Sequence, residues 1–85
     1  MKVEEAKIEG VKILTPLIHS DPRGCFFETF KSTIFCSYGL PDNFVQDNQV
    51  RSNQNVLRGL HYQLSHPQGK LVQVVSGSIL DVAVD

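Results

Sequence analysis

Short β-patterned runs, each stopped by turn residues before a helical repeat can establish itself, constrain this chain most. Residues 8–16, 25–30, 44–52, 56–64, 70–75 and 79–84 are rich in β-branched, aromatic and aliphatic side chains and read as five or six strands. In the first run Val11 and Ile13 alternate, Leu14, Leu17 and Ile18 form a bulkier end, and Pro16 suits an edge or terminus. Asp21-Pro22-Arg23-Gly24 is a turn: the carboxylate bonds local backbone, proline sets φ, and glycine accepts a positive φ. In the run after it, Phe26, Glu28 and Phe30 share one face, which sets Glu28 between two aromatics on a buried or cleft-lining side. Ser32 is expected to cap a short helix through Tyr38, closed by Gly39 and Pro41. Asn53-Gln54-Asn55 and Ser65-His66-Pro67-Gln68-Gly69 are loops, and Ser76-Gly77 joins the last two runs in a hairpin. Such a pattern predicts an all-β sandwich or barrel with one short helix.

The run at 56–64 is unusual. It carries Arg58, Gly59 and His61 in its interior, where a strand serving only the fold gains nothing from them. Arginine offers a bidentate grip on an anion, and histidine titrates near neutrality and can take and return a proton. On the strand alone, His61 is equally a general base or a core histidine satisfied by a carbonyl. Arg58 suits an anion, and its other reading is one side of a surface ion pair. Lys70 opens a run of Leu71, Val72, Val74 and Val75, so its ammonium either enters a cleft or snorkels outward at the strand end. Arg58 and His61 are three apart and should face opposite sides of a strand, so a shared site requires a bulge at Gly59 or Leu60.

Composition narrows the classes. With 41% hydrophobic and 20% charged residues the chain is expected to fold as one small globular domain over residues 1–85. A net charge of −1 without a basic run argues against a nucleic-acid polymer as partner. No apolar stretch approaches the roughly 20 residues of a membrane helix, so no membrane partner is expected and the cytoplasm is the expected location. Cys25 and Cys36 lack metal-ligand spacing and are expected to be reduced and buried. The final apolar run meets no turn or cap, the pattern of part of a longer β-rich domain or of a protomer with a covered edge.

Four blocks carry a resemblance: Asp21-Pro22-Arg23-Gly24-Cys25-Phe26-Phe27-Glu28, Phe44-Val45-Gln46-Asp47-Asn48, Leu57-Arg58-Gly59-Leu60-His61-Tyr62-Gln63 and Gln68-Gly69-Lys70-Leu71-Val72. In order and spacing they resemble the N-terminal half of the dTDP-4-dehydrorhamnose 3,5-epimerases, sugar-nucleotide enzymes of the cupin class. The resemblance implies a cupin-like jelly-roll, here an incomplete N-terminal portion. It implies epimerisation at two carbons beside a ketone, with His61 as general base and Lys70 stabilising the enolate. Arg23, Glu28, Gln46, Asp47, Asn48 and Arg58 fall on substrate-binding positions. Val50 departs from a small hydroxyl residue expected there.

No cofactor and no catalytic metal are expected. Gln63 stands where a metal-binding cupin has its second histidine, and no glutamate follows Glu28. His66 is expected to be exposed. The opposing acid, a tyrosine, and the carboxylate partner of the base lie beyond residue 85 in the family, and Tyr38 and Tyr62 do not match that tyrosine. The resemblance therefore implies a homodimeric enzyme acting on a dTDP-sugar, with feeble catalysis by this chain alone. The rival readings are a 3- or 5-epimerase of another dTDP-sugar, a non-catalytic sugar-nucleotide-binding domain, and an inactive fragment.

Overall fold

The computed structural model describes residues 1–85. Its regular elements are β1 (Lys2–Glu5), β2 (Lys12–Thr15), β3 (Ile18–Asp21), β4 (Gly24–Phe27) and α1 (Ser32–Ser37). Strand outweighs helix, as the pattern predicts, and the strands form two antiparallel hairpins, β1–β2 and β3–β4. Two two-stranded sheets do not close a jelly-roll, and the expected architecture is realised only to that extent. The chain divides into two compact units, Met1–Asn43 with Ile79–Asp85, and Phe44–Ser78.

In the first unit, β1 and β2 pair from Lys2 opposite Thr15 to Glu5 opposite Lys12. The Lys12 ammonium meets the Glu5 carboxylate at 2.7 Å across this pair. Both side chains are solvated, so the contact chiefly selects register and adds well under about 1 kcal/mol. The β3–β4 register runs from Ile18 opposite Phe27 to Asp21 opposite Gly24. Pro22 excludes the primed turns that match strand twist, because its ring forbids a positive φ. The mismatch falls on the next flexible position, Gly24, at φ 138°. The run expected as one strand over 8–16 is thus shorter, and Ile18 belongs to a separate strand with the turn residue Asp21 at its end.

Helix α1 begins one residue earlier than Ser32 predicts. Lys31 is the cap residue, extended at φ −146° and ψ 123°, and no side chain caps the first turn. Its carbonyl accepts the first helical bond from the Phe35 amide at 2.9 Å, leaving Ser32 inside the helix. The other end follows expectation. Gly39 at φ 70° lets its amide reach the Cys36 carbonyl at 3.0 Å and the Leu40 amide reach the Phe35 carbonyl at 2.9 Å, the two bonds of a Schellman stop.

Phe35 is the one buried residue of the chain, at 2% exposure. The Phe30 ring meets it edge-on, with centroids 4.7 Å apart at 68°. The Tyr38 hydroxyl donates to the Met1 carbonyl at 2.8 Å, tying the helix end to the start of the chain. Cys25 and Cys36 are free but exposed, correcting the expectation of burial. No other element packs on the β3–β4 hairpin to cover Cys25, and Cys36 points about 100° round the helix from Phe35.

The strands expected over 44–52, 56–64, 70–75 and 79–84 do not form, nor does the hairpin across Ser76-Gly77. A turn at Gln54 and Asn55 and bends at 64–66 and 75–77 do fall on the expected breaks. Leu57, Leu60, Tyr62 and Leu64 are 94, 81, 77 and 90% exposed. Burying each is worth about 1.5–3 kcal/mol, so the four together match the roughly 5–15 kcal/mol stability of a typical domain. A strand pattern gains that only beneath a second layer. No helix is long and apolar enough to cross a membrane.

Phe35→Ala should lower the stability of the first unit by about 3 kcal/mol, with Phe35→Leu in between. Amide hydrogen exchange checks this: protection in α1 should fall in that order, and equal protection in all three chains would contradict a Phe35-centred core.

Candidate functional site

The expected site residues fall in both units, with Arg23 and Glu28 in the first and Gln46, Asp47, Asn48, Arg58, His61 and Lys70 in the second. All eight are exposed.

Arg23 makes the most hydrogen bonds of them. The Asp21 Oδ1 accepts the Arg23 backbone N–H at 2.8 Å, an Asx-type closure of the β3–β4 turn. The same carboxylate accepts Arg23 Nη2 at 2.6 Å and Nε at 3.3 and 3.4 Å. These bonds to the guanidinium, and then the bond to its backbone, hold the Asp21 carboxyl below its ordinary value. The carboxylate in turn raises Arg23. Beside them is a hollow of about 290 Å³ that His19, Asp21, Arg23 and Phe26 help to line.

Glu28 lies one residue beyond β4, so strand alternation does not reach it. Phe26, Glu28 and Phe30 nevertheless line one cleft of about 240 Å³, in agreement with the cleft-lining expectation. His19, Lys31 and Phe35 line it as well. His19 was not singled out by sequence reasoning. It pairs with Phe26 in the hairpin register and touches both hollows, so the turn at Asp21-Pro22-Arg23-Gly24, counted outward, carried the signal.

In the second unit, Gln46 Nε2 donates to Asn48 Oδ1 at 3.3 Å, which brings two of the expected ligands together. Arg58 Nε donates to Ser52 Oγ at 2.8 Å, so Arg58 is fastened by a hydroxyl and not by an acidic partner. No hydrogen bond or ion pair joins any two of Arg58, His61 and Lys70, and Asp47 is likewise unpaired. The bulge needed to turn Arg58 and His61 to one side has no ladder to sit in, because residues 56–64 pair with no strand. Gly59 does leave ordinary strand geometry, at φ 137°. His66 is exposed, as expected. No three His, Cys, Asp or Glu side chains converge on a point that would hold a metal ion.

This backbone of blocks matches a known family. The profile of dTDP-4-dehydrorhamnose 3,5-epimerase aligns with residues 5–85. The chain belongs to that family. It is 51% identical over 81 residues to the dTDP-4-dehydrorhamnose 3,5-epimerase of Methanothermobacter thermautotrophicus, covering 95% of this chain and 44% of that one. Against the Escherichia coli K12 enzyme of the same name it is 48% identical over 87 residues, covering 100% of this chain and 47% of the relative. A Neisseria gonorrhoeae relative of that name is 46% identical over 85 residues, which are 100% of this chain and 26% of the relative. This family member thus spans less than half the length of these curated relatives. No solved structure matches it.

The turn makes a pH prediction. Asp21 has a folded pKa below its unfolded one, so its contribution to the hairpin is present above the ordinary carboxylate range and is lost as pH falls through the lowered value. Carbon-detected titration of the Asp21 carboxyl should show a midpoint below that of an ordinary aspartate, with the Arg23 Nε signal shifting at the same pH. An ordinary midpoint would mean that the ion pair does not persist in solution.

Proposed function

We propose that this chain supplies the base-bearing part of a dTDP-4-dehydrorhamnose 3,5-epimerase. The observation that carries the reading is the family match over residues 5–85, which takes in every one of the eight site residues. In this reading the substrate is a dTDP-4-dehydro-6-deoxyhexose, and the carbons flanking its C4 ketone bear acidified protons. His61 removes such a proton and the electron pair moves onto the ketone oxygen as an enolate. Lys70, with Arg58 as a second cation, offsets that developing negative charge. An acid on the opposite face, which is not among these eight residues, gives its proton to the carbon and inverts it, while His61 releases the proton it took to solvent; repetition at the second carbon completes a 3,5-epimerisation.

Neither His61 nor Lys70 is held by another side chain, which leaves both free to meet a ligand. Arg23 suits the diphosphate, being a planar, permanently charged donor on a tight turn. Gln46 and Asn48 suit the edges of a base or sugar, with Glu28 and Asp47 completing the binding set. The reading needs no cofactor and no metal. It includes a cupin-like jelly-roll, a cytoplasmic location, and a homodimer.

Substrate held in D₂O with the parent protein should take up deuterium at the carbons beside the ketone. His61→Asn should slow that exchange by roughly 10²-fold or more, and Lys70→Met should slow it through loss of the enolate's counter-charge. Binding of dTDP should change little in either variant. If His61→Asn binds dTDP normally and exchanges at the parent rate, the base is elsewhere and a non-catalytic binding role takes precedence.

Assembly is checked separately. Sedimentation equilibrium should give a mass of at least twice the 9.5 kDa of this chain. A well-folded, monodisperse monomer would remove the homodimer from the proposal.

A further inference from the structure

We infer that Asp21 is a positioning residue for Arg23: its carboxylate holds the guanidinium by the Nε edge and so presents the opposite edge to a substrate diphosphate. The inference rests on the reading of Arg23 as a diphosphate ligand and adds to it the group that aims it.

The geometry is specific about which edge is taken. Both Asp21 oxygens lie 3.3–3.4 Å from Nε, and Oδ2 lies 2.6 Å from Nη2. Nη1 makes no bond to the carboxylate, so the edge formed by Nη1 and the outer hydrogen of Nη2 remains open. That edge provides two parallel N–H donors, the geometry that matches two oxygens of a phosphate. The Arg23 side chain is 91% exposed while Asp21 is 45% exposed, so the carboxylate sits nearer the hairpin and the open edge faces outward. An exposed arginine otherwise spreads over many rotamers and loses that freedom when it binds. A second bond fixes the base of the clamp, because Asp21 Oδ1 also accepts the Arg23 amide at 2.8 Å. One carboxylate thus sets both the backbone and the guanidinium of the residue two places on.

Electrostatics and orientation predict opposite signs, which makes the inference testable. Removing a carboxylate beside an anion site strengthens anion binding if charge alone matters. Losing an aimed arginine weakens it. Asn at position 21 keeps an oxygen to accept the Arg23 amide and preserves the turn, but discards the charge-assisted grip on the guanidinium. Glu keeps the charge and reaches the guanidinium, with poorer closure of the turn.

The experiment titrates dTDP into the parent protein and into Asp21→Asn, Asp21→Glu and Arg23→Ala, with the backbone and Arg23 Nε signals followed by NMR. Arg23→Ala should weaken dTDP binding roughly tenfold or more. Asp21→Asn should weaken it about threefold, the scale of an exposed ion pair, while the β3 and β4 amide shifts hold and the Arg23 Nε signal loses its distinct position. Asp21→Glu should recover most of the affinity. If Arg23→Ala binds dTDP as the parent does, Arg23 is not the diphosphate ligand and the inference goes with that reading. If Arg23→Ala is weakened but Asp21→Asn binds equally well or tighter, the diphosphate role of Arg23 stands and Asp21 does not aim it. A loss of affinity in Asp21→Asn that accompanies collapse of the β3–β4 amide pattern would equally overturn the inference, marking Asp21 as a turn residue only.

Discussion

A strand exists only where a neighbour accepts and donates its backbone hydrogen bonds, and this requirement governs the whole structure. The two ladders that form connect near neighbours in sequence: the widest pair joins Lys2 to Thr15, and the tightest joins Asp21 to Gly24. Closing such short loops loses little chain entropy, and a proline, a glycine and an aspartate at 21–24 reduce even that. Residues 44–85 carry equally good strand composition and form no ladder. Their side chains would be stabilised by burial under a second layer, which lies outside any local hairpin.

Where local bonds are complete, the chain needs little else to hold a small unit together. The Schellman bonds at Gly39 and Leu40 stop α1 after six residues, and Phe35 on that helix reaches Phe30 across the preceding loop. Tyr38 then fastens the helix end to the Met1 carbonyl. One buried phenylalanine is a slim core, so the solvated Glu5–Lys12 and Asp21–Arg23 pairs serve register and orientation more than stability.

The same division runs through the candidate site. Arg23 is set by a carboxylate two residues away, and Gln46 and Asn48 bond each other at the same separation. These are local arrangements. His61, Lys70 and Arg58 have chemistry suited to a base, a counter-cation and an anion ligand, and Arg58 is held only by Ser52. The proposed proton abstraction beside a ketone needs those groups at fixed distances, and fixed distances come from paired strands.

The sequence by itself determined the family, the kind of chemistry its residues favour, the turn at Asp21-Pro22-Arg23-Gly24, the stop at Gly39 and the breaks near Gln54, Ser65 and Ser76. The family rests on the order and spacing of its blocks, and the turn, the stop and the breaks rest on a residue's own conformational limits or on short-range bonds. Tertiary structure decided the rest: the division of residues 8–21 between β2 and β3, Lys31 in place of Ser32 as cap, the exposure of both cysteines and the place of His19 in two hollows. It also decided that the pattern at 56–64 forms no strand, so no bulge turns Arg58 toward His61. The physical reason is that period-two hydrophobicity states which side of a strand would be buried, whereas the strand forms only where another segment pairs with its backbone, and beyond a short turn only the tertiary structure supplies that segment.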